Sequence, residues 1–186
     1  FDYLSVNVSA VQLAEADFVR ELFHLLDQAG LPGQCLQIEL TENVLMADTV
    51  ICARVLEQLR ARQVRVAIDD FGTGYSSLAN LRLLPIDSLK IDRSFVRDVP
   101  ADANDCAIVA AVVSLSQTLG LGAVAEGIET AAQREHLEKL GCHLLQGYHF
   151  SPALPETEFL RYAAAYRRSA RVGGGAVPPP CRPSAR

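Results

Sequence analysis

Hydrophobic residues follow two alternating spacings along the chain, and these predict strands and helices in turn. Short runs of apolar and β-branched residues predict six strands, at residues 4–8, 36–40, 64–68, 88–91, 122–125 and 144–150. Between these runs, apolar residues recur every three or four positions, as on one face of a helix. We expect helices ending near residue 29, over 49–62, 76–84, 104–119 and 130–140, and from Pro155 onward. Thr130 and Gln133 have the spacing of a helix capping box.

The regular alternation of strand and helix predicts a parallel sheet that is covered by helices on both faces. Six units fill about 168 residues, so eight units would need roughly 225, close to the ~250 of a (β/α)₈ barrel. We therefore predict an α/β fold, a TIM-like barrel in which about six of eight units are present. An open doubly wound sheet remains an alternative, although Gly72 and Gly74 lack the third glycine of a dinucleotide-binding loop.

Composition narrows the class of protein. Of 186 residues, 49% are hydrophobic and 21% charged, which is typical of a globular core. The longest apolar run, residues 106–113, is far shorter than the roughly 18 residues of a membrane span. Residues 1–160 hold 11 basic and all 22 acidic side chains. A surface this acidic argues against a nucleic-acid polymer as partner, and an anionic substrate would require bound cations.

The end of the chain has a different composition. Residues 161–186 contain six Arg and no acid, and three Gly and four Pro follow from Gly173. This predicts a folded domain over residues 1–168 and a disordered tail over 169–186. The five Cys are odd in number and lack metal-binding spacing, so we expect free thiols in a cytoplasmic, reducing compartment.

Polar residues occur at or just after the end of every predicted strand. They are Asn7, Glu39, Glu42, Asp69, Asp70, Lys90, Asp92, Glu126, Glu129 and Gln146. In a parallel barrel the carboxyl ends of all strands open at one mouth, where active sites lie. Side chains that are distant in sequence would therefore converge there.

Converging carboxylates repel one another unless a cation lies between them. Oxygen donors without paired His or Cys favour Mg²⁺ or Mn²⁺ over zinc. The adjacent Asp69 and Asp70 suggest a carboxylate that bridges two ions. Two ions ~3.5–4 Å apart suit phosphodiester hydrolysis, with Lys90 orienting a nucleophile or neutralising a phosphate.

Each residue also has a purely structural interpretation. Taken alone, Asn7 is typical of a turn at a strand end, and Glu39 is typical of a helix cap or a surface ion pair. Glu129 would stabilise only the start of the helix that follows it. Asp69 and Asp70 would suit a loop cap, and Lys90 a solvated strand end. The four His are best explained as surface or packing residues. The agreement of all six strand ends favours the chemical interpretation.

Six ordered motifs carry a family resemblance. They are LSVNVS (4–9), ELTE (39–42), DDFGTGYSSL (69–78), KID (90–92), AEGIET (125–130) and QGY (146–148). Together they resemble the EAL domain, a family of bacterial cyclic di-GMP phosphodiesterases with a TIM-like barrel. The resemblance implies hydrolysis of cyclic di-GMP to linear pGpG with two Mg²⁺ or Mn²⁺ ions.

The resemblance also implies roles for individual residues. Asn7, Glu39 and Asp69 would bind one metal, and Asp69, Asp70 and Glu126 the other. Lys90 would position the attacking water. Glu42 would anchor the loop at residues 70–77, which includes Phe71 and Gly72. Glu129 would support that loop and Gln146 would line the substrate site.

One departure from the family pattern concerns the Glu-Ala-Leu tripeptide, which is absent from this chain. In the family it lies on the second barrel strand, its Glu binds the first metal, and an Arg that holds substrate phosphate follows it. We expect this strand and one other to precede Phe1, and we expect the 186-residue chain alone to be inactive. The resemblance further implies a homodimer and a GGDEF, PAS or receiver domain upstream in the same protein. It also implies a cytoplasmic location for this domain, including the case in which the whole protein is anchored in a membrane.

Two other functions remain open at this level. A family member that has lost catalysis can act as a cyclic di-GMP receptor or as a protein-interaction module. An unrelated barrel metallohydrolase with another substrate would also fit the polar strand ends.

Overall fold

Six parallel strands form one sheet in sequential order, from the first strand to the sixth. The computed structural model describes residues 3–47, 49–74 and 81–171. The strands are β1 (Leu4–Asn7), β2 (Leu36–Thr41), β3 (Arg65–Phe71), β4 (Ser88–Ile91), β5 (Gly122–Ala125) and β6 (Leu144–Leu145). Each pairs with the next in parallel, as in an incomplete TIM-like barrel. A doubly wound sheet would reverse its strand order, so that alternative is excluded.

Helices connect the strands. They are α1 (Ala10–Ala14), α2 (Phe18–Ala29), α3 (Glu42–Ala47), α4 (Thr49–Ala61), α5 (Arg93–Val96), α6 (Ala103–Leu119), α7 (Ala131–Lys139) and α8 (Glu156–Arg171). A 3₁₀ turn at Gly33–Cys35 precedes β2. No helix in the described part of the chain combines the length and the hydropathy of a membrane span.

The core lies between the central strands and the helices that cover them. Ile38, Leu40, Ile68, Leu89 and Ile91 are all at most 1% exposed. Leu56 and Leu59 of α4, which are fully buried, belong to the same cluster. Burial of each such side chain stabilises the fold by roughly 1.5–3 kcal/mol. This packing fixes the central strands whose ends carry the polar residues.

Local sequence signals account for several helix ends. Gly30 and Gly120 end α2 and α6 with φ of 63° and 72°, a left-handed conformation that costs glycine little. Ser9 and Thr130 each form a capping box with the Gln three residues later. The capping box predicted at Thr130 is therefore confirmed.

Some predicted boundaries were wrong. The sixth strand ends at Leu145, not at residue 150, because a turn follows, in which the N–H of Phe150 donates to the carbonyl of Gly147. A Cβ at Gly147 would lie 2.2 Å from the backbone of Ile128, so only glycine fits. The first predicted helix is two helices, α1 and α2, separated at residues 15–17. The short helices α3 and α5 were not predicted.

Two predictions fall partly outside the described residues. Residues 76–80 of the helix predicted at 76–84 are not described. The predicted tail at 169–186 is described only up to residue 171. Helix α8 continues to Arg171, three residues past the predicted domain boundary at 168. The division at residue 168 stays a prediction.

Candidate active site

The carboxyl ends of four neighbouring strands bring one lysine into contact with three carboxylates. The Nζ of Lys90 on β4 lies 2.5 Å from Oε2 of Glu39 on β2. It lies 3.0 Å from Oδ1 of Asp69 on β3 and 2.7 Å from Oε1 of Glu126, just after β5. Side chains that are up to 87 positions apart in the sequence therefore form a single cluster.

Strand register explains which side chains share this face of the sheet. Asn7 pairs with Glu39, and side chains at paired positions of parallel strands point to the same face. Two positions before Glu39 on the same face, the Gln37 amide donates a 3.0 Å hydrogen bond to Oγ of Ser5. Asn7 therefore lies beside Glu39 at the strand ends, although its side chain is exposed and is not among the ion-pair partners of Lys90.

A β-bulge presents two aspartates to one lysine. Ile68 pairs with Leu89 and Phe71 with Ile91, so Asp69 and Asp70 together oppose Lys90. Asp70 has a φ of 52°, and its N–H donates to Oδ1 of Asp69 at 3.1 Å. Because of the bulge, both adjacent carboxylates lie at the same end of the sheet.

The cluster around Lys90 is buried and has an excess of negative charge. Lys90 is 4% exposed and Glu39 7%. Burial acts to lower the pKa of Lys90, but hydrogen bonds to Glu126, Glu39 and Asp69 outweigh it and raise that pKa. Lys90 is therefore an ammonium ion at neutral pH. Burial is the main cause of the raised pKa of Glu126. The hydrogen bond and charge of Lys90 act to lower this pKa, and the charges of Asp69 and Glu39 act to raise it.

A second carboxyl pair lies next to the cluster. Burial raises the pKa of Asp70, and both the charge of Asp69 and a hydrogen bond with Asp92 add to the effect. Burial acts in the same direction on Asp92, yet hydrogen bonds from Ser94 and Asp70 lower its pKa overall. The pKa values of the two carboxyls are therefore shifted in opposite directions.

The donor chemistry of the site fits hard divalent cations. Three carboxylates share one ammonium, so the site has more negative charge than Lys90 can balance. Carboxylate oxygens are the ligands that Mg²⁺ and Mn²⁺ prefer. No three His, Cys, Asp or Glu side chains in the described part are already arranged to chelate an ion. The Lys90 ammonium holds these carboxylates instead.

Glu42 ties the loop after β3 to the start of α3. Its side chain is 2% exposed, and Oε2 accepts hydrogen bonds from the N–H groups of Gly72 at 3.2 Å and Gly74 at 3.3 Å. A Cβ at Gly74 would lie 2.8 Å from Oε1 of Glu42. The rest of the predicted loop, residues 75–77, lies outside the described residues.

Comparison with known proteins agrees with this geometry. The family model described as "EAL domain" matches residues 2–153 of the chain. The chain belongs to the EAL domain family. The resemblance and the TIM-like architecture that its motifs predict are both confirmed.

Relatives of this EAL domain include cyclic di-GMP phosphodiesterases. The chain is 46% identical over 164 residues to Cyclic di-GMP phosphodiesterase NbdA of Pseudomonas aeruginosa, an alignment that covers 88% of the chain and 21% of NbdA. The chain thus spans about a fifth of that curated relative.

Solved EAL structures share the fold. The PaMucR phosphodiesterase in a c-di-GMP complex has a TM-score of 0.81 and 45% identity, covering 84% of this chain and 64% of PaMucR. Klebsiella pneumoniae BlrP1, in a manganese and c-di-GMP complex, has a TM-score of 0.72 and 37% identity, covering 78% and 38% respectively.

Other predicted site residues of the EAL domain lie around the Lys90 cluster. Phe71 is buried at the end of β3, and Gly72, with a φ of 100°, packs against the ring of Phe95. Glu129 and Gln146 are both exposed. The N–H of Gln146 donates to the carbonyl of Ala125 at 2.9 Å, which sets Gln146 beside the end of β5.

Sequence reasoning gave Gln133 only a role in the capping box with Thr130, but this residue also joins two segments of the candidate site. Its buried Nε2 donates to the carbonyls of Val96 and Arg97 at 3.1 and 3.0 Å. Its Oε1 accepts from the N–H groups of Glu129 and Thr130 at 2.8 and 2.9 Å. Only the bond to Thr130 follows from the capping-box signal. The link to the segment after β4 carries no local signal.

Proposed function

We propose that this EAL domain hydrolyses one phosphodiester bond of cyclic di-GMP to give linear pGpG. The observation that carries the proposal is the cluster of Lys90 with Glu39, Asp69 and Glu126 at the carboxyl ends of the strands. Active sites of parallel barrels lie at this end. NbdA, a relative named as a phosphodiesterase for this nucleotide, supports the choice of substrate.

We propose that two divalent cations, Mg²⁺ or Mn²⁺, bind at this end of the barrel. Asn7, Glu39 and Asp69 would hold one, and Asp69, Asp70 and Glu126 the other. Such ions supply Lewis acidity and lower the pKa of bound water towards neutrality. The bulge that aligns Asp69 with Asp70 and the manganese complex of BlrP1 support this assignment.

Lys90 has a definite task in this scheme. An ammonium group has three N–H donors, and three carboxylates take them. With those carboxylates engaged by cations, Lys90 would be free to donate to the nucleophilic water or to a phosphoryl oxygen.

Residues around the cluster would hold the substrate and its loop. Glu42 fixes the backbone of Gly72 and Gly74, and this contact would couple loop position to substrate binding. Phe71 and Gly72 form the base of the loop. We propose that Glu129 supports the same loop and that Gln146 lines the substrate site.

The test is hydrolysis of cyclic di-GMP by the whole protein that contains these residues, with Mn²⁺ or Mg²⁺ present. Asp69→Asn should reduce turnover at least a hundredfold, because one oxygen donor and one charge shared by both ions are lost. Asp98→Asn, at an exposed residue, should leave turnover unchanged.

Two outcomes would contradict the proposal. Undiminished turnover by Asp69→Asn would exclude the two-ion scheme. Tight binding of cyclic di-GMP by the wild type without pGpG formation would favour the receptor function.

We further propose that the domain acts as a cytoplasmic homodimer within a larger signalling protein that carries GGDEF, PAS or receiver domains. The fraction of NbdA that the chain spans, 21%, supports a multidomain context. Sedimentation of the whole protein, with and without cyclic di-GMP, would test the dimer.

A further inference from the structure

A second concave site lies at the opposite end of the strands from Lys90. A cavity of about 590 Å³ opens among residues that precede β2, β3, β4 and β5. Gln34, Val64, Asp87 and Leu121 each contribute from one of these positions. This volume falls within the roughly 300–1,000 Å³ of small-molecule sites. The cavity is thus separated from the candidate active site by the length of the sheet.

Positive charge is concentrated around this cavity. Arg60, Arg65 and Arg82 line it, three of the 11 basic residues in a region with 22 acidic ones. None of the three forms an ion pair with a carboxylate of the described residues. By contrast, Arg62 of the same segment lies 2.5 Å from Asp27. The three guanidinium groups are therefore available to an anionic ligand.

The cavity also has one acidic residue and a preoriented arginine. Oδ2 of Asp87 accepts a 2.7 Å hydrogen bond from the N–H of Val66, so this carboxylate is engaged by the backbone. The guanidinium carbon of Arg65 lies 4.6 Å from the centre of the Tyr3 ring, a stacking contact that limits its freedom. The lining residues of the described chain therefore carry a net charge of about +2.

The other lining groups suit an uncharged organic body. Val64, Ile86 and Leu121 provide apolar contact. Nε2 of Gln34 donates to Oε1 of Gln63 at 2.9 Å, which places a pair of amides at the same cavity. Amides next to apolar side chains can recognise the polar edge of a ring or a sugar.

We propose that this cavity binds a phosphate monoester of nucleoside-monophosphate size. A monoester dianion matches the net charge of the cavity, and guanidinium groups bind phosphate oxygens in pairs. The site does not depend on hydrolysis of cyclic di-GMP, because it uses none of the residues at the carboxyl ends of the strands.

Calorimetric titration of the 186-residue chain in EDTA tests the ligand class. Guanosine 5′-monophosphate should bind, inorganic phosphate should bind more weakly, and guanosine should not bind. Affinity should fall as pH drops from 7.5 to 5, because the second pKa of a phosphate monoester is about 6 and Arg stays charged. Equal binding of guanosine, or binding independent of pH, would overturn the proposal.

Paired variants on one helix test the location. Arg60→Gln should weaken nucleotide binding about tenfold, since a charge-assisted hydrogen bond is lost. Arg54→Gln, an exposed residue of α4 outside the cavity, should bind as the wild type does. Hydrogen exchange should show nucleotide-dependent protection at residues 64–66 and 119–122. Equal effects of the two variants, or protection confined to residues 70–74, would refute the assignment.

Discussion

Lys90 is the residue on which the charge balance of the site depends. It supplies one positive charge to three carboxylates, and all four side chains are at most 19% exposed. Removing one partner of a buried ionic network is costly because the other charges remain buried without compensation. Lys90 thus contributes to stability as well as to the proposed chemistry.

Replacing Lys90 with Met should lower the free energy of unfolding by about 3–5 kcal/mol in the absence of divalent cations. Mn²⁺ should restore part of that loss, because a cation can replace the ammonium among the carboxylates. Urea denaturation with and without Mn²⁺ measures both effects. Lys139→Met, at an exposed residue, should change stability by less than about 0.5 kcal/mol and should not respond to Mn²⁺. A Lys90→Met protein as stable as the wild type would contradict the charge-balance argument.

Cys142 gives a pH dependence with a definite sign. Burial raises the pKa of its thiol from 9.0 to about 11, against backbone hydrogen bonds that act to lower it. The unfolded chain therefore ionises first as pH rises, and the thiol's contribution to stability declines between pH 9 and 11.

Comparison with Cys142→Ala isolates this effect. Denaturation at pH 8 and pH 10.5 should show a larger loss of stability in the wild type than in the variant, because other titrating groups are common to both. An equal loss of stability in the wild type and in Cys142→Ala would show that burial does not raise the pKa of Cys142.

Among the elements, the segments after β4 and β5 are held to one another through Gln133 of α7. One buried amide group pairs with two carbonyls on one segment and two N–H groups on the other. Lys90 and Glu126 end the strands that lead into these segments. Gln133 is therefore a positioning residue for the proposed active site.

Gln133→Leu should destabilise the protein by about 2–4 kcal/mol, since up to four backbone groups lose their partners. The amides of Glu129 and Thr130 should also exchange faster with solvent. Hydrogen exchange and thermal denaturation measure the two effects. Gln117→Leu on the exposed face of α6 is the control and should be nearly neutral. Unchanged exchange at Glu129 would mean that Gln133 does not hold this segment.

At the scale of the whole molecule, the sheet of the described residues has two edges, β1 and β6. On β1, Leu4 and Val6 are 54% and 48% exposed. An exposed apolar edge strand promotes pairing between molecules. The 186-residue chain should therefore associate through β1.

Val6→Lys should reduce association of the 186-residue chain, because a charge on an edge strand opposes strand pairing. Light scattering over a range of concentrations measures this. Val11→Lys adds the same charge at a residue that is 74% exposed on α1, away from the edge, and should reduce association less. Equal effects of the two variants would indicate a general charge effect.

Much of the element pattern was predictable because it is local. The spacing of apolar residues located six strands, and Gly30, Gly120 and Thr130 marked helix boundaries. Where a contact distant in sequence decides the backbone, the prediction was wrong. The sixth strand stops early because Gly147 packs against Ile128, a contact that no periodicity records.

The sequence by itself determined the alternation of strand and helix, the polar residues at strand ends and, through six motifs, the EAL family. Only the tertiary structure decided the sequential strand order, the bulge that sets Asp69 and Asp70 against Lys90, and the basic cavity at the other end. Periodicity and capping depend on residues a few positions apart, so the sequence shows them directly. Strand register and charge balance depend on residues tens of positions apart, and these meet only when the sheet forms.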